Sequence, residues 1–134
     1  MSKFEYPEAI DPDMVGEYPA DVDAGAGYFY DEVLEYRVWC YPAEGAEDFA
    51  DGDDYYFVFS TFAEAEDFRK ETKGAQSPLA LIRQYEWIDE YKPGKFRHET
   101  GQRIAEWGAE LLEGRERQDG SIDNFFKENG IEKS

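Results

Sequence analysis

Hydrophobic and polar residues alternate along several stretches of the chain, and these stretches predict β-strands. Residues 33–41, VLEYRVWCY, alternate and are rich in residues that favour strands, and residues 55–60, YYFVFS, predict a second strand. A third strand is predicted from residue 79 to about residue 91. Residues 92–95, KPGK, place Pro and then Gly at the centre of a tight turn, which suits type II. Residues 96–99 are therefore expected to be the return strand.

The first predicted strand has two unlike faces. Because side chains alternate between the faces of a strand, one face carries Val33, Glu35, Arg37, Trp39 and Tyr41, and the other carries Leu34, Tyr36, Val38 and Cys40. The second set is the more apolar, and we expect it to face the core. Cys40, the single cysteine, is expected to act there as a small hydrophobic residue.

Helical periodicity predicts three helices. Residues 61–73 begin with Thr61 and Glu64 at the spacing of a capping box and end at Gly74. Residues 101–113 present apolar residues at helical spacing, namely Ile104, Trp107, Leu111 and Leu112. Ser121 can cap a last short helix. The predicted fold is α+β, with a mainly antiparallel four-stranded sheet in ββαββα order, two helices on one face and a short C-terminal helix.

Residues 1–32 differ in character from the rest. Three prolines and three glycines break regular structure there, while six aromatic residues argue against full disorder. We interpret residues 1–32 as an irregular acidic N-terminal arm, either laid over the domain or ordered by a partner. Residues 33–134 are expected to form a single α+β domain.

The net charge of −18 is concentrated in one half of the chain. Residues 1–68 contain 19 acidic and two basic residues, whereas residues 69–134 contain 13 acidic and 12 basic residues. A negative field repels nucleic acid and anionic membranes and attracts basic proteins. The leading hypothesis is a non-enzymatic module that binds a basic protein partner, and a nucleic-acid mimic or inhibitor is one form of it. The candidate binding residues are Asp31, Glu32, Glu35, Asp48, Asp51, Asp53 and Asp54. An acidic surface that serves solubility alone is the open alternative.

Catalytic and metal chemistry has weaker support in the residues. His98, the one histidine, could act as a general base with Glu86 nearby, but no nucleophile pattern accompanies it. One histidine and one cysteine exclude the ordinary zinc frameworks. Residues 24–27, AGAG, are glycine-rich but lack the lysine of a phosphate-binding loop, and we interpret them as flexible backbone. No cofactor or metal is predicted. The single cysteine and the lack of a signal peptide or membrane-spanning run favour the cytoplasm.

The block EWIDEYKPGKFRHETGQRIAEW, residues 86–107, carries a family resemblance. Together with the YRVW and DDYY stretches, it resembles small bacterial proteins commonly labelled GNAT-type N-acetyltransferases, over about residues 27–126. The resemblance implies acyl transfer from acetyl-CoA as the alternative function. That class holds the pyrophosphate in a glycine-rich loop that opens a helix, and the matching junction here, residues 57–68, contains no glycine. No residue of this chain is therefore assigned to acetyl-CoA.

Overall fold

The structure, a computed structural model, describes residues 4–24 and 27–130. It confirms an α+β fold with four main antiparallel strands and two α-helices within these residues. The strands are β1 (Asp23–Ala24), β2 (Glu32–Cys40), β3 (Tyr55–Phe59), β4 (Leu79–Lys92) and β5 (Lys95–Gly108), and the helices are α1 (Phe62–Glu71) and α2 (Ser121–Glu128).

The sheet has the strand order β1-β5-β4-β2-β3. The long strands β4 and β5 form a hairpin in which Lys92 pairs with Lys95 across the predicted Pro-Gly turn. Gly94 has a φ of +77°, which the third position of a type II turn requires. β1 pairs with β5 in parallel and comes from the N-terminal arm. Strand β3 lies at the opposite edge and pairs with β2.

The predicted helix at residues 101–113 is wrong, because most of this segment is the second half of β5. Ala105 and Trp107 are buried at strand spacing, and they pair in register with Ile82 and Ala80 of β4. Cross-strand pairing with a long, mostly buried neighbour overrides a weak helical preference. The helical part of this segment is one 3₁₀ turn over Ala109–Leu112.

The two helices pack against separate apolar clusters. α1 carries the predicted capping box, in which the Glu64 amide donates to Thr61 Oγ1 at 3.2 Å and the Thr61 hydroxyl donates to the Glu64 carboxylate at 2.8 Å. The helix packs on the main core, which includes Tyr36, Val38, Ala65, Ile82 and Trp107. α2 forms where a last short helix is predicted and packs at the hairpin end with Ile88, Ile122 and Phe126, but its N-cap is Gly120 and the predicted cap, Ser121, is the first helical residue. The predicted ββαββα order with two helices on one sheet face is not confirmed, because the second of those helices, residues 101–113, is mostly strand β5.

The N-terminal arm lies over the sheet, and strand β2 is buried on both of its faces as a result. Leu34, Tyr36, Val38 and Cys40 are fully buried, as predicted, but Glu35 and Arg37 on the other face are fully buried too. The arm is held by backbone contacts, including a hydrogen bond from the Ala9 amide to the Ser60 carbonyl at 2.8 Å. The Tyr36 hydroxyl also donates to the Pro7 carbonyl at 2.5 Å.

Gly27 corrects the interpretation of residues 24–27 as flexible backbone. It is buried with a φ of +93°, and its carbonyl accepts a hydrogen bond from the Ile88 amide at 3.0 Å. A Cβ atom at this position would lie 2.6 Å from Gln84 Nε2 and 2.6 Å from Arg103 Nη2. Glycine is required at this position because a side chain would clash with Gln84 and Arg103 and because the positive φ disfavours other residues. Gly25 and Ala26 lie outside the described residues.

Candidate functional site

The acidic loop, residues 42–54, joins β2 to β3 and holds four of the predicted binding residues. Six of its side chains are acidic and none is basic: Glu44, Glu47, Asp48, Asp51, Asp53 and Asp54. All six are exposed. The loop is nevertheless shaped by its own contacts, since Asp48 Oδ1 accepts from the Gly52 amide at 2.7 Å and the Tyr55 hydroxyl donates to the Glu47 carbonyl at 2.7 Å. Its carboxylates are therefore presented from a defined backbone.

The aromatic groove lies between the acidic loop, β3 and α1. Its rings form a continuous series, with centroid distances of 5.3 Å from Phe49 to Tyr55, 5.8 Å from Tyr55 to Phe57 and 5.0 Å from Phe57 to Phe68. The groove has a volume of about 450 Å³. Phe49 is 66% exposed and Phe57 is 42% exposed, so apolar rings face solvent next to a highly charged loop. Exposed aromatic surface of this kind marks an interaction site more often than isolated apolar residues do.

The rim of the groove is mainly negative. Glu47 and Glu71 line it together with Lys73, whose side chain lies against Gly45 of the loop. Burial, and after it the nearby carboxylates of Asp54 and Glu106, raises the pKa of the Tyr41 hydroxyl at the base of the loop. Across residues 4–24 and 27–130, none of the loop carboxylates forms an ion pair. No ion pair within the described residues therefore offsets the acidic side chains that the loop presents to solvent.

The other three predicted binding residues, Asp31, Glu32 and Glu35, form ion pairs with arginines of the same chain. Asp31 accepts from Arg117 Nε at 2.6 Å and from the Tyr85 amide at 2.7 Å, and Glu32 accepts from Arg83 Nη1 at 3.0 Å.

Glu35 lies deepest of these three. It is fully buried and accepts from Arg37 Nε at 2.7 Å and from the Gly16 amide of the arm at 2.8 Å. Glu35 therefore offers no carboxylate to a partner, which corrects that prediction. Arg117 and Arg83, the partners of Asp31 and Glu32, are distant in sequence, whereas Arg37 lies two residues from Glu35 on the same face of β2.

The structure brings His98 and Glu86 together on the β4–β5 hairpin. His98 Nε2 lies 3.0 Å from Glu86 Oε1, and Arg117 Nη1 lies 3.0 Å from the second oxygen of Glu86. Since Arg117 also binds Asp31, the four side chains form one network between β4, β5 and the segment before α2. Arg83 and Arg97 likewise pair with the protein's own carboxylates, through contacts with Glu32 and Glu99.

The pocket at this network is small and polar. It has a volume of about 230 Å³ and is lined by Glu86, His98, Arg117, Gln118, Asp119, Gly120, Ile122 and Asp123. Among the described residues, this lining includes no hydroxyl or thiol group that could act as a nucleophile. An imidazole–carboxylate pair could move a proton, but Glu86 is already shared with a guanidinium. The geometry fits an internal charge network better than a reaction centre.

The start of α1 is the junction at which the family resemblance would place a bound pyrophosphate. Ser60 and Thr61 both donate side-chain hydrogen bonds to the Glu64 carboxylate there, at 3.2 and 2.8 Å. A carboxylate thus occupies the position that an anionic ligand would need at this helix end. Acyl transfer from acetyl-CoA stays a prediction of the resemblance.

Comparisons with known proteins do not assign the chain to a family. No protein-family model matches the chain, and neither the curated proteins nor the solved structures include a significant match. In the part of the chain that the structure describes, no group of three or more His, Cys, Asp or Glu side chains is placed to hold a metal ion. No helix in residues 4–24 and 27–130 is long and apolar enough to cross a membrane.

The sequence-based prediction of a binding site missed the aromatic half of the groove. Phe49 sits within the acidic run, and Phe57 and Phe68 sit in elements that the sequence predicts correctly. The available signal was that β3, YYFVF, is aromatic at every second position and directly follows residues 51–54, DGDD, which contain three aspartates. What the sequence could not supply is that β3 is an edge strand, which leaves Phe57 in solvent.

Proposed function

We propose that this protein binds a basic segment of a protein partner through the acidic loop and the aromatic groove. The observation that carries the proposal is that one loop bears the exposed carboxylates of Asp51, Asp53 and Asp54, which form no ion pair in the described residues, and also supplies Glu47 and the exposed ring of Phe49 to the groove. Lysine and arginine combine an apolar stem with a cationic head, so they can contact both features together. The function is therefore recognition, and binding should depend on ionic strength.

The first test measures binding of a synthetic peptide of alternating lysine and phenylalanine residues by nuclear magnetic resonance titration. We expect the largest shifts at loop and groove residues, and an affinity that falls as salt rises from 50 to 500 mM. The triple variant D51N/D53N/D54N should weaken binding about tenfold, since electrostatic attraction at a site grows with its local charge.

A matched control separates a site from general attraction. The variant E113Q/D119N/E128Q removes the same number of charges from exposed positions in the other half of the chain. It should change the affinity less than about twofold, because none of these residues lines the groove and salt screens exposed charges. Equal losses in the two triple variants would show that only net charge matters, and the proposal would fail.

Lys73 gives a test of opposite sign. It is the cation at the rim of the groove, so it should repel a basic segment. Lys73→Gln is therefore expected to tighten peptide binding about twofold to threefold at low salt. Weaker binding by this variant would contradict a basic occupant.

A further inference from the structure

The backbone at the outer edge of β3 has a defined orientation that can be worked out from its neighbours. On β2, the Trp39 carbonyl accepts from the Gln76 amide at 2.8 Å and the Tyr41 amide donates to the Gly74 carbonyl at 2.9 Å, both on the side away from β3. Backbone groups alternate in direction along a strand, so Val38 and Cys40 direct theirs toward β3.

The same alternation fixes the direction of the backbone groups of β3. Val38 pairs with Phe57 and Cys40 pairs with Tyr55, so these β3 residues exchange hydrogen bonds with β2. Tyr56 and Val58 therefore direct their N–H and C=O groups outward, away from the sheet.

The outer edge already accepts backbone from another segment at one end. Ser60 has the same parity as Tyr56 and Val58, and its carbonyl accepts the hydrogen bond from the Ala9 amide of the arm. In the described ranges, no backbone partner reaches Tyr56 or Val58 from outside the sheet. The arm thus closes the end of this edge and leaves its middle open.

The open edge also lacks the features that proteins use to block strand pairing. β3 reads YYFVF and contains no charge and no proline, although edge strands usually carry such residues. Apart from the arm at its end, the protection of this edge in the described residues is negative charge, from the acidic loop before the strand. That protection repels acidic chains, including a second copy of this protein with its net charge of −18, and it admits a basic chain.

The two sides of an added strand would meet different surfaces. On one side lie Phe57 and Phe68, which form the aromatic groove at 5.0 Å from each other. On the other side the arm passes close to Val58, since a Cβ on Gly16 would lie 3.5 Å from Val58 Cγ2, and the exposed carboxylate of Glu17 follows directly. An added strand would thus place one set of alternate residues on aromatic rings and the other near carboxylates.

We infer that the partner contributes an extended segment of alternating apolar and basic residues, which pairs with the outer edge of β3 as a further strand of the sheet. The inference rests on the proposed function and specifies how the partner is held. Main-chain hydrogen bonds to Tyr56 and Val58 supply affinity, and the alternating side chains supply selectivity.

Amide hydrogen exchange of the wild-type protein tests this mode with the alternating lysine–phenylalanine peptide as probe. At saturating peptide, the amides of Tyr56 and Val58 should exchange at least tenfold more slowly. The amide of Phe57, already bonded to β2, should change much less. A pattern without this alternation would overturn strand addition.

A pair of variants adds an independent test. Val58→Pro removes an outward N–H without touching a bond to β2, and such positions tolerate proline. It should weaken peptide binding at least tenfold. Val58→Ala removes the side chain, keeps the N–H, and should bind within threefold of wild type. If both variants bind equally well, the edge is not used. The exchange measurement stands even if Val58→Pro does not fold, since it uses the wild-type chain.

The outcomes distinguish this inference from the proposed function. Peptide shifts at the acidic loop and groove, with unchanged exchange at Tyr56 and Val58, would overturn strand addition and leave the binding function intact. A lack of shifts at the loop and groove would overturn both. Protection of Tyr56 and Val58 that rises with protein concentration in the absence of peptide would show a second copy on the edge and overturn the inference.

Discussion

The acidic residues at the start of β2 and those of the acidic loop have the same chemistry but different environments. Asp31, Glu32 and Glu35 each accept hydrogen bonds from an arginine, and Glu35 is fully buried. Asp51, Asp53 and Asp54 are exposed, and within the described residues they have no basic partner. An uneven charge distribution along a chain therefore does not define a binding surface. The proposed binding surface consists of those loop carboxylates that form no ion pair within the described residues.

The largest expected effect comes from breaking the buried pair. Arg37→Met leaves the Glu35 carboxylate buried without its cation and removes the hydrogen bond to the Pro19 carbonyl. We expect the free energy of unfolding in urea to fall by about 3–5 kcal/mol. The double variant Glu35→Met with Arg37→Met should lose less than the single variant, because no unpaired charge is left behind. If the double variant is the less stable of the two, Glu35 is stabilised by something other than Arg37.

An intermediate effect is expected at Arg117, which is partly exposed. Arg117→Met removes a charged hydrogen bond from Asp31 and a contact with Glu86, and should cost about 1–2 kcal/mol in the same urea measurement. Asp31 keeps its bond from the Tyr85 amide, which limits the loss. A loss as large as that of Arg37→Met would show that the exposure of an ion pair does not determine how much it contributes to the unfolding free energy.

A smaller effect is expected at Arg83, whose pair with Glu32 is partly exposed, at 23% and 25% of the two side chains. Arg83→Met should lower the unfolding free energy by less than about 1 kcal/mol, since water reaches and screens both partners, whereas Asp31 beside Arg117 is only 9% exposed. The loss should also shrink when the unfolding is repeated in 0.5 M salt. A loss independent of salt would mean that the arginine contributes through packing.

The smallest effect on stability is expected in the acidic loop. D51N/D53N/D54N should leave the unfolding free energy within about 0.5 kcal/mol of wild type, since these side chains form no ion pair in the described structure. Asn also tolerates the positive φ of +52° at position 51. Unchanged stability with weakened peptide binding would show that the loop carboxylates serve binding, whereas Asp31, Glu32 and Glu35 serve folding. A large loss of stability would show that the loop carboxylates also stabilise the fold.

The elements that depend on local signals could be predicted from the sequence. The alternation in β2, the capping box of α1 and the Pro-Gly turn all act within a few residues, and each appears as expected. Residues 101–108 show why the rest could not be predicted. Ile104 and Trp107 fit a helical stripe as well as a strand, and the choice is made by pairing with β4, which is distant in sequence.

The candidate site was predictable in its charged part and not in its apolar part. Asp48, Asp51, Asp53 and Asp54 are exposed in the loop where the sequence placed them. Glu35 has the same chemistry, yet it is buried because the arm covers its face of β2. Which face an irregular arm covers depends on contacts such as that of Gly16, and these follow no sequence period.

Arg37 also sets the order in which the protein can mature during synthesis. Its guanidinium joins Glu106, which is 69 residues further along the chain, and Pro19, which is 18 residues before it. Since the chain emerges from the ribosome N-terminus first, the arm and β2 must wait for the end of β5 before this junction can close. Contacts of such long range slow folding, so the junction around Arg37 is expected to close only after most of the chain has been synthesised.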